Sequence, residues 1–123
     1  MDEPKFLKLN HKNLKAWELG VSLVKEIYNA TSNFPKTETF GLTNQIRRAS
    51  VSIVSNISEG ASRSSLIERK RFYQIARSSL VELDTQLEIS FKLNFLSKDN
   101  CDKIYEYLNQ VFALLTKMLQ STK

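Results

Sequence analysis

Histidine and cysteine each occur once in this 123-residue chain, proline twice and glycine three times. Each scarcity excludes something. A lone Cys101 cannot form an internal disulfide or a cysteine-rich metal cluster, so a reducing cytoplasm is the expected location. A lone His11, near the N-terminus, rules out the paired Glu-x-x-His motifs of a di-metal carboxylate bundle. So few glycines and prolines argue against the many turns of a β-sandwich or barrel. The longest wholly apolar run, Val111 to Leu115, is far too short for a bilayer span, and MDEPKFLK has no apolar core of signal-peptide length. No glycine-rich phosphate loop, Ser-His-Asp set or metal-spaced cysteine group occurs. No enzymatic activity, metal, cofactor or membrane association is expected. Cys101 falls near a helix start, where the dipole could lower a thiol pKa, but its place on an apolar seam points to packing.

What the chain does have is helical spacing. Leu14, Trp17, Val21, Val24 and Tyr28 form a stripe widened by Leu23, Ile27 and Phe34, and Pro35 ends that helix. A second helix begins at 41–43 with Leu42, Ile46, Ala49, Ile53 and Ile57 on its core face, extended by Val54, and Gly60 as its C-terminal cap. Ser65-Leu66-Ile67-Glu68 fits a capping box that opens the third. Its stripe is Phe72, Ala76, Leu80, Leu83, Leu87 and Phe91, with Tyr73 beside it, and Asn94 can close it in the left-handed conformation. Ser97 caps a fourth helix carrying Cys101, Ile104, Leu108, Val111, Leu115 and Met118, with Tyr105 flanking that seam. The short joints at 61–64 and 94–97 require antiparallel neighbours. The expectation is an all-α, antiparallel up-down-up-down four-helix bundle over residues 13–123, preceded by a loose arm at 1–12.

Two features point to partners. The first is charge: the formal net charge is +5, and Arg47, Arg48, Arg63, Arg69, Lys70, Arg71 and Arg77 against Glu59 and Glu68 account for all of it. An antiparallel hairpin sets position 48 level with about 78, so the seven cations could line one track for an anionic partner, nucleic acid first. An acidic protein partner, or solvated helix faces alone, would also accommodate them. The second feature is QIRRASVSIVSNISEGASR, residues 45–63. Its polar face gathers Gln45, Arg48, Ser52, Ser55, Asn56, Glu59 and Arg63. Ser and Asn are mediocre helix formers because their side chains compete for backbone groups. A face built of them is thin, and is expected to be covered by another subunit or by nucleic acid.

The chain also resembles the 23S ribosomal RNA intervening sequence protein family. The resemblance rests on Trp17, Ile27-Tyr28, Phe34-Pro35, Glu38, Phe40-Gly41-Leu42, Gln45-Ile46-Arg47-Arg48-Ala49, Val51-Ser52-Ile53 and Asn56-Ile57-Ser58-Glu59-Gly60. It continues through Phe72, Ala76, Ser79-Leu80, Glu82-Leu83 and Gln86-Leu87. It implies a small bundle assembled into a ring, a homopentamer in known members, with no catalytic residues. The chain is similar too to the accessory protein of diversity-generating retroelements, which implies nucleic acid and a reverse transcriptase as possible partners. Gln45, Arg48, Asn56, Glu59 and Glu82 carry over as an interface or structural network, and Ser52 joins them on the same face. Ser78 stands where the family often has Gly, and Ser58 where Ala is usual, which implies slightly looser helix contacts there.

Overall fold

The computed structural model describes residues 2–121; Met1 and the last two residues of the expected bundle, Thr122 and Lys123, lie outside them. Four helices make the body: α1 (Lys15–Thr31), α2 (Leu42–Ser62), α3 (Leu66–Lys92) and α4 (Lys98–Ser121). Residues 2–9 have no regular structure, and Asn10–Asn13 form a 3-10 turn against α1 and α2. A second 3-10 turn, Lys36–Glu38, lies between α1 and α2.

Consecutive helices are neighbours, and α1 also packs on α4, closing a square with no diagonal contact. Residue pairs show each direction. Trp17 bonds Ser58 while Arg47 bonds Thr31, so α1 and α2 are antiparallel. Ser52 meets Ser79 while Gly60 meets Tyr73, reversing α2 against α3. Arg77 covers Phe112 while Asp84 and Tyr105 line one depression, reversing α3 against α4. The result is an up-down-up-down four-helix bundle.

Local chemistry explains the joints. Glu68 N–H donates to Ser65 Oγ at 3.3 Å, opening α3, and Asn100 N–H donates to Ser97 Oγ at 3.1 Å, opening α4. Asn94 takes φ 65°, and Phe95 N–H reaches back to Ser90 O while Asn94 N–H reaches Phe91 O, both at 2.9 Å. That pair of bonds is a Schellman ending, which satisfies two otherwise orphaned carbonyls. Gly60 departs from its expected role. It lies within the last turns of α2, buried, with no positive φ, and α2 continues to Ser62. A Cβ there would stand 2.7 Å from the Tyr73 ring and 3.1 Å from Arg69 O. Its value is close approach of α3, not backbone freedom.

The core is built from Leu23, Ile27, Ile46, Ile53, Ile57, Ala76, Leu83, Ile104, Val111 and Leu115, all essentially inaccessible to water. Several stripes are rotated from the expected ones. On α1 the buried line is Ala16, Gly20, Leu23, Ile27, Ala30 and Thr31, and Tyr28 is exposed. On α3, Tyr73 and Ser90 replace Phe72 and Phe91 at the two ends, and on α4 Leu119 replaces Met118. On α1 small residues let the backbones approach, so the narrow side of the helix faces inward and Tyr28 settles at the margin. Gly20 shows this directly, since a Cβ on it would come within 2.9 Å of Val54. Ser50 and Ser90 are fully buried because each hydroxyl donates to a carbonyl of its own helix, Arg47 O and Gln86 O.

Candidate functional site

The polar face of α2 divides between two environments. Ser52 Oγ meets Ser79 Oγ of α3 at 2.9 Å, and Asn56 donates to Ser52 O and Oγ at 2.8 and 3.1 Å. Thus part of the thin face is covered by α3 of the same chain. Ser52 and Asn56 are half-buried in the single chain, Ser52 against α3 and Asn56 through bonds within α2. Small side chains there allow the bundle's most intimate helix pair. Gln45 and Arg48, by contrast, remain exposed and share a depression with Phe40, Asn44, Glu82 and Gln86. Glu59 is exposed and pairs with Arg63, the residue that follows its helix, at 3.0 Å. The six residues of the expected network therefore form three separate groups.

The same outer wall, between α2 and α3, displays apolar side chains that sequence periodicity alone did not single out. Ile75 is about two-fifths exposed beside Glu82, and Phe40, at the wall's end, is 94% exposed. A loop Phe in water has no packing role inside this chain.

The seven cations do not form one track. Arg47 turns to α1: its Nε donates to Thr31 Oγ1 at 2.8 Å, and its guanidinium lies 4.4 Å over the Tyr28 ring. Arg77 turns to α4, 4.8 Å over Phe112. These are opposite walls of the square. Levelness along a hairpin axis, which the residue count supplies, says nothing about which way each side chain leaves the helix. At the 63–65 turn, Arg63 bridges Glu59 and covers Phe72, while Arg69 donates to Arg63 O at 2.7 Å and so secures the turn. Arg47, Arg63 and Arg69 are accordingly bound into the structure. Arg48, Lys70, Arg71 and Arg77 form no ion pair among the described residues.

A different asymmetry replaces the track. The antiparallel order brings the 63–65 turn, the start of α1 and the end of α4 to one end of the bundle. Residues 10–22, 53–78 and 110–121 make up that half. They hold eight Lys and Arg (Lys12, Lys15, Arg63, Arg69, Lys70, Arg71, Arg77, Lys117) against Glu18, Glu59 and Glu68. Residues 23–52 and 79–109 hold seven against eight carboxylates. The positive excess belongs to one end of the molecule, and Lys12, Lys15 and Lys117 join it from parts of the chain where sequence reading had no reason to look.

Between α3 and α4 runs a groove lined near this basic end by Lys70, Gln74, Arg77, Ser78, Val81, Phe112, Thr116, Leu119 and Gln120, with a volume of about 940 Å³. No carboxylate lines that stretch. Farther along the same wall, Asp84, Glu88 and Asp102 surround a smaller apolar depression. Cys101 opens onto it; burial and then the Asp102 carboxylate push its thiol above the ordinary value. The thiol packs against the core, in line with its place on the apolar seam. Burial likewise raises the Tyr73 phenol, which is a core residue and not the half-exposed flank expected of it, whereas Tyr105 is exposed. Trp17 donates to Ser58 Oγ at 3.1 Å, and Ser58 in turn donates to Val54 O. The contact at Ser58 is tied by hydrogen bonds where a looser one was expected.

Among the described residues no helix is long and apolar enough to cross a membrane, and no group of His, Cys, Asp or Glu is arranged to hold a metal ion. The sequence model of the 23S rRNA-intervening sequence protein family matches residues 12–117. The chain belongs to that family. Its fold is shared with a crystal structure from Bacteroides thetaiotaomicron VPI-5482, described as a protein of unknown function from the S23 ribosomal protein family. The two superpose with a TM-score of 0.79 at 18% identity, over 92% of this chain and 100% of that one. No curated protein matches the chain. The matched span reaches into all four helices and stops one turn before the end of α4, so it takes in the α2/α3 wall and all of the α3/α4 groove but Leu119 and Gln120.

Proposed function

We propose that this member of the family is a non-catalytic, homo-oligomeric bundle that binds nucleic acid, RNA or DNA, through its basic end. The observation that supports this most is the segregation of charge: eight cations against three carboxylates in one half of the molecule, and seven against eight in the other. A field of one sign at one end attracts a polyanion and orients it before contact. Lys70, Arg71 and Arg77 are members of it with no ion pair among the described residues, whereas Arg63 and Arg69 already serve the turn.

Assembly into a ring, a pentamer by resemblance, would use the α2/α3 wall. Exposed Ile75 and Phe40 lie there with Gln45, Arg48 and Glu82, a mixture of apolar and pairable groups that suits a subunit contact better than water. Repeating the basic end around a ring multiplies weak phosphate contacts into avidity. A reverse transcriptase or another protein partner would be an additional occupant of such a ring.

The test is binding of labelled RNA and DNA at low salt, repeated over a salt series. Affinity should fall log-linearly with salt, with a slope that counts the phosphates contacted. Absence of affinity for any nucleic acid at low salt would sink the proposal and leave a scaffold with an acidic protein partner.

A further inference from the structure

We infer that the basic stretch of the α3/α4 groove is a site for unpaired nucleotides, so that the partner recognised is single-stranded nucleic acid rather than duplex. This rests on the nucleic-acid reading above and adds where and in what form the strand is held. Three observations converge on the groove. Its cations, Lys70 and Arg77, have no carboxylate partner among the described residues, and none lines this stretch. The Arg77 guanidinium sits over the Phe112 ring, 4.8 Å from its centroid, so the groove wall carries a cationic plane and an aromatic ring side by side. Gln74 and Gln120 offer amide donors and acceptors at the rim.

These are the elements of single-strand recognition. Every base has a π-face that stacks on an aromatic ring or a guanidinium plane, amides can pair with exposed base edges, and lysine meets the phosphates. A duplex keeps its base faces stacked and could offer the groove only phosphates. The polarity of the wall limits the site. From Lys70 to Val81 the groove runs about 17 Å at 1.5 Å per residue, room for a few nucleotides. Beyond that, Asp84, Glu88 and Asp102 would repel the backbone. The strand therefore enters from the basic end and stops near Val81.

The measurement is fluorescence anisotropy on the full chain with a labelled 20-nucleotide single strand, as RNA and as DNA, and with the matching duplex. Arg77→Lys keeps the charge but removes the plane, and Phe112→Leu removes the ring beneath it. Arg71→Gln, at the turn end, removes a cation outside the groove. Each variant is checked by circular dichroism melting, and a 5-iodouracil strand is crosslinked to wild type as a measurement independent of any substitution. The expected result is a preference of wild type for the single strand, with roughly tenfold weaker single-strand binding in Arg77→Lys and Phe112→Leu. Their duplex binding should be unchanged, and the crosslink should fall on residues of 70–81 or 112–120. If wild type binds but the groove variants match it and crosslinks fall elsewhere, the groove assignment is overturned while the basic-end reading stands. Such a result would give the groove to a protein occupant. If wild type binds no nucleic acid, both fall.

Discussion

At the scale of single residues, two positions show how little room this bundle has. Gly60 faces the Tyr73 ring and Arg69 O so closely that an added methyl must move one of them. The Arg69 carbonyl belongs to the first turn of α3 and cannot yield without shifting the helix. Gly60→Ala should therefore cost about 1–3 kcal/mol of stability through overpacking, outweighing the helix propensity that alanine would add; a denaturant midpoint at or above wild type would contradict this. Cys101 gives a chemical counterpart. Its thiol is raised by burial and by Asp102, so the thiolate is scarcer at neutral pH than in a free cysteine. Alkylation by iodoacetamide at pH 7 should be slower than that of a model thiol, and should accelerate only as pH passes above the ordinary thiol range. A fast reaction at pH 7 would show that Asp102 and the surrounding apolar groups do not govern it.

At the scale of the elements, each helix is held by a different balance of packing and polar anchoring. Leu83 is fully buried at the centre of the α3 stripe, and Leu83→Ala should lose about 2–5 kcal/mol as transfer energy and cavity. Arg47 acts between elements, tying α2 to the end of α1 through Thr31 and Tyr28. Arg47→Ala should lower stability by about 1 kcal/mol and leave nucleic-acid affinity nearly unchanged. Arg71→Ala should do the reverse, because Arg71 is exposed and holds nothing in place. Parallel thermal melts and binding titrations of the two variants distinguish an anchoring arginine from a ligand-facing one. Equal losses of affinity would restore Arg47 to the binding surface.

At the scale of the whole molecule, the α2/α3 wall and the basic end make separate demands. Light scattering at micromolar concentration should report several times the 14.2 kDa of one chain. Phe40→Asp combined with Ile75→Glu should return the mass to that of a monomer while the melting curve changes little, since both positions are exposed in the single chain. A wild-type monomer would leave the exposed Phe40 and its neighbours without the partner proposed here. Loss of the ring should also weaken nucleic-acid binding far more than any one arginine substitution, because avidity is lost along with the contacts.

Across these scales the legible and the illegible separate on physical grounds. Helix number, order and joints follow from the sequence, because caps such as Ser65 and Ser97 and the left-handed Asn94 act within a few residues of themselves. Most central core positions, Ile53, Leu83 and Val111 among them, follow from the 3.6-residue period, since burial of a long apolar stripe is a local pattern. Rotation of each stripe does not follow. Gly20 and Gly60 turn inward only because Val54 and Tyr73 lie opposite them, a fact supplied by partners distant in sequence. The same limit applies to the charges. Composition shows a basic chain with its excess between Gln45 and Arg77, but the directions taken by Arg47 and Arg77 depend on which helix stands beside each. The gathering of Lys12, Lys15 and Lys117 with the 63–65 turn depends on antiparallel closure of the square. Tertiary structure alone decided where the charge collects, because a field is a property of positions in space and not of order along the chain.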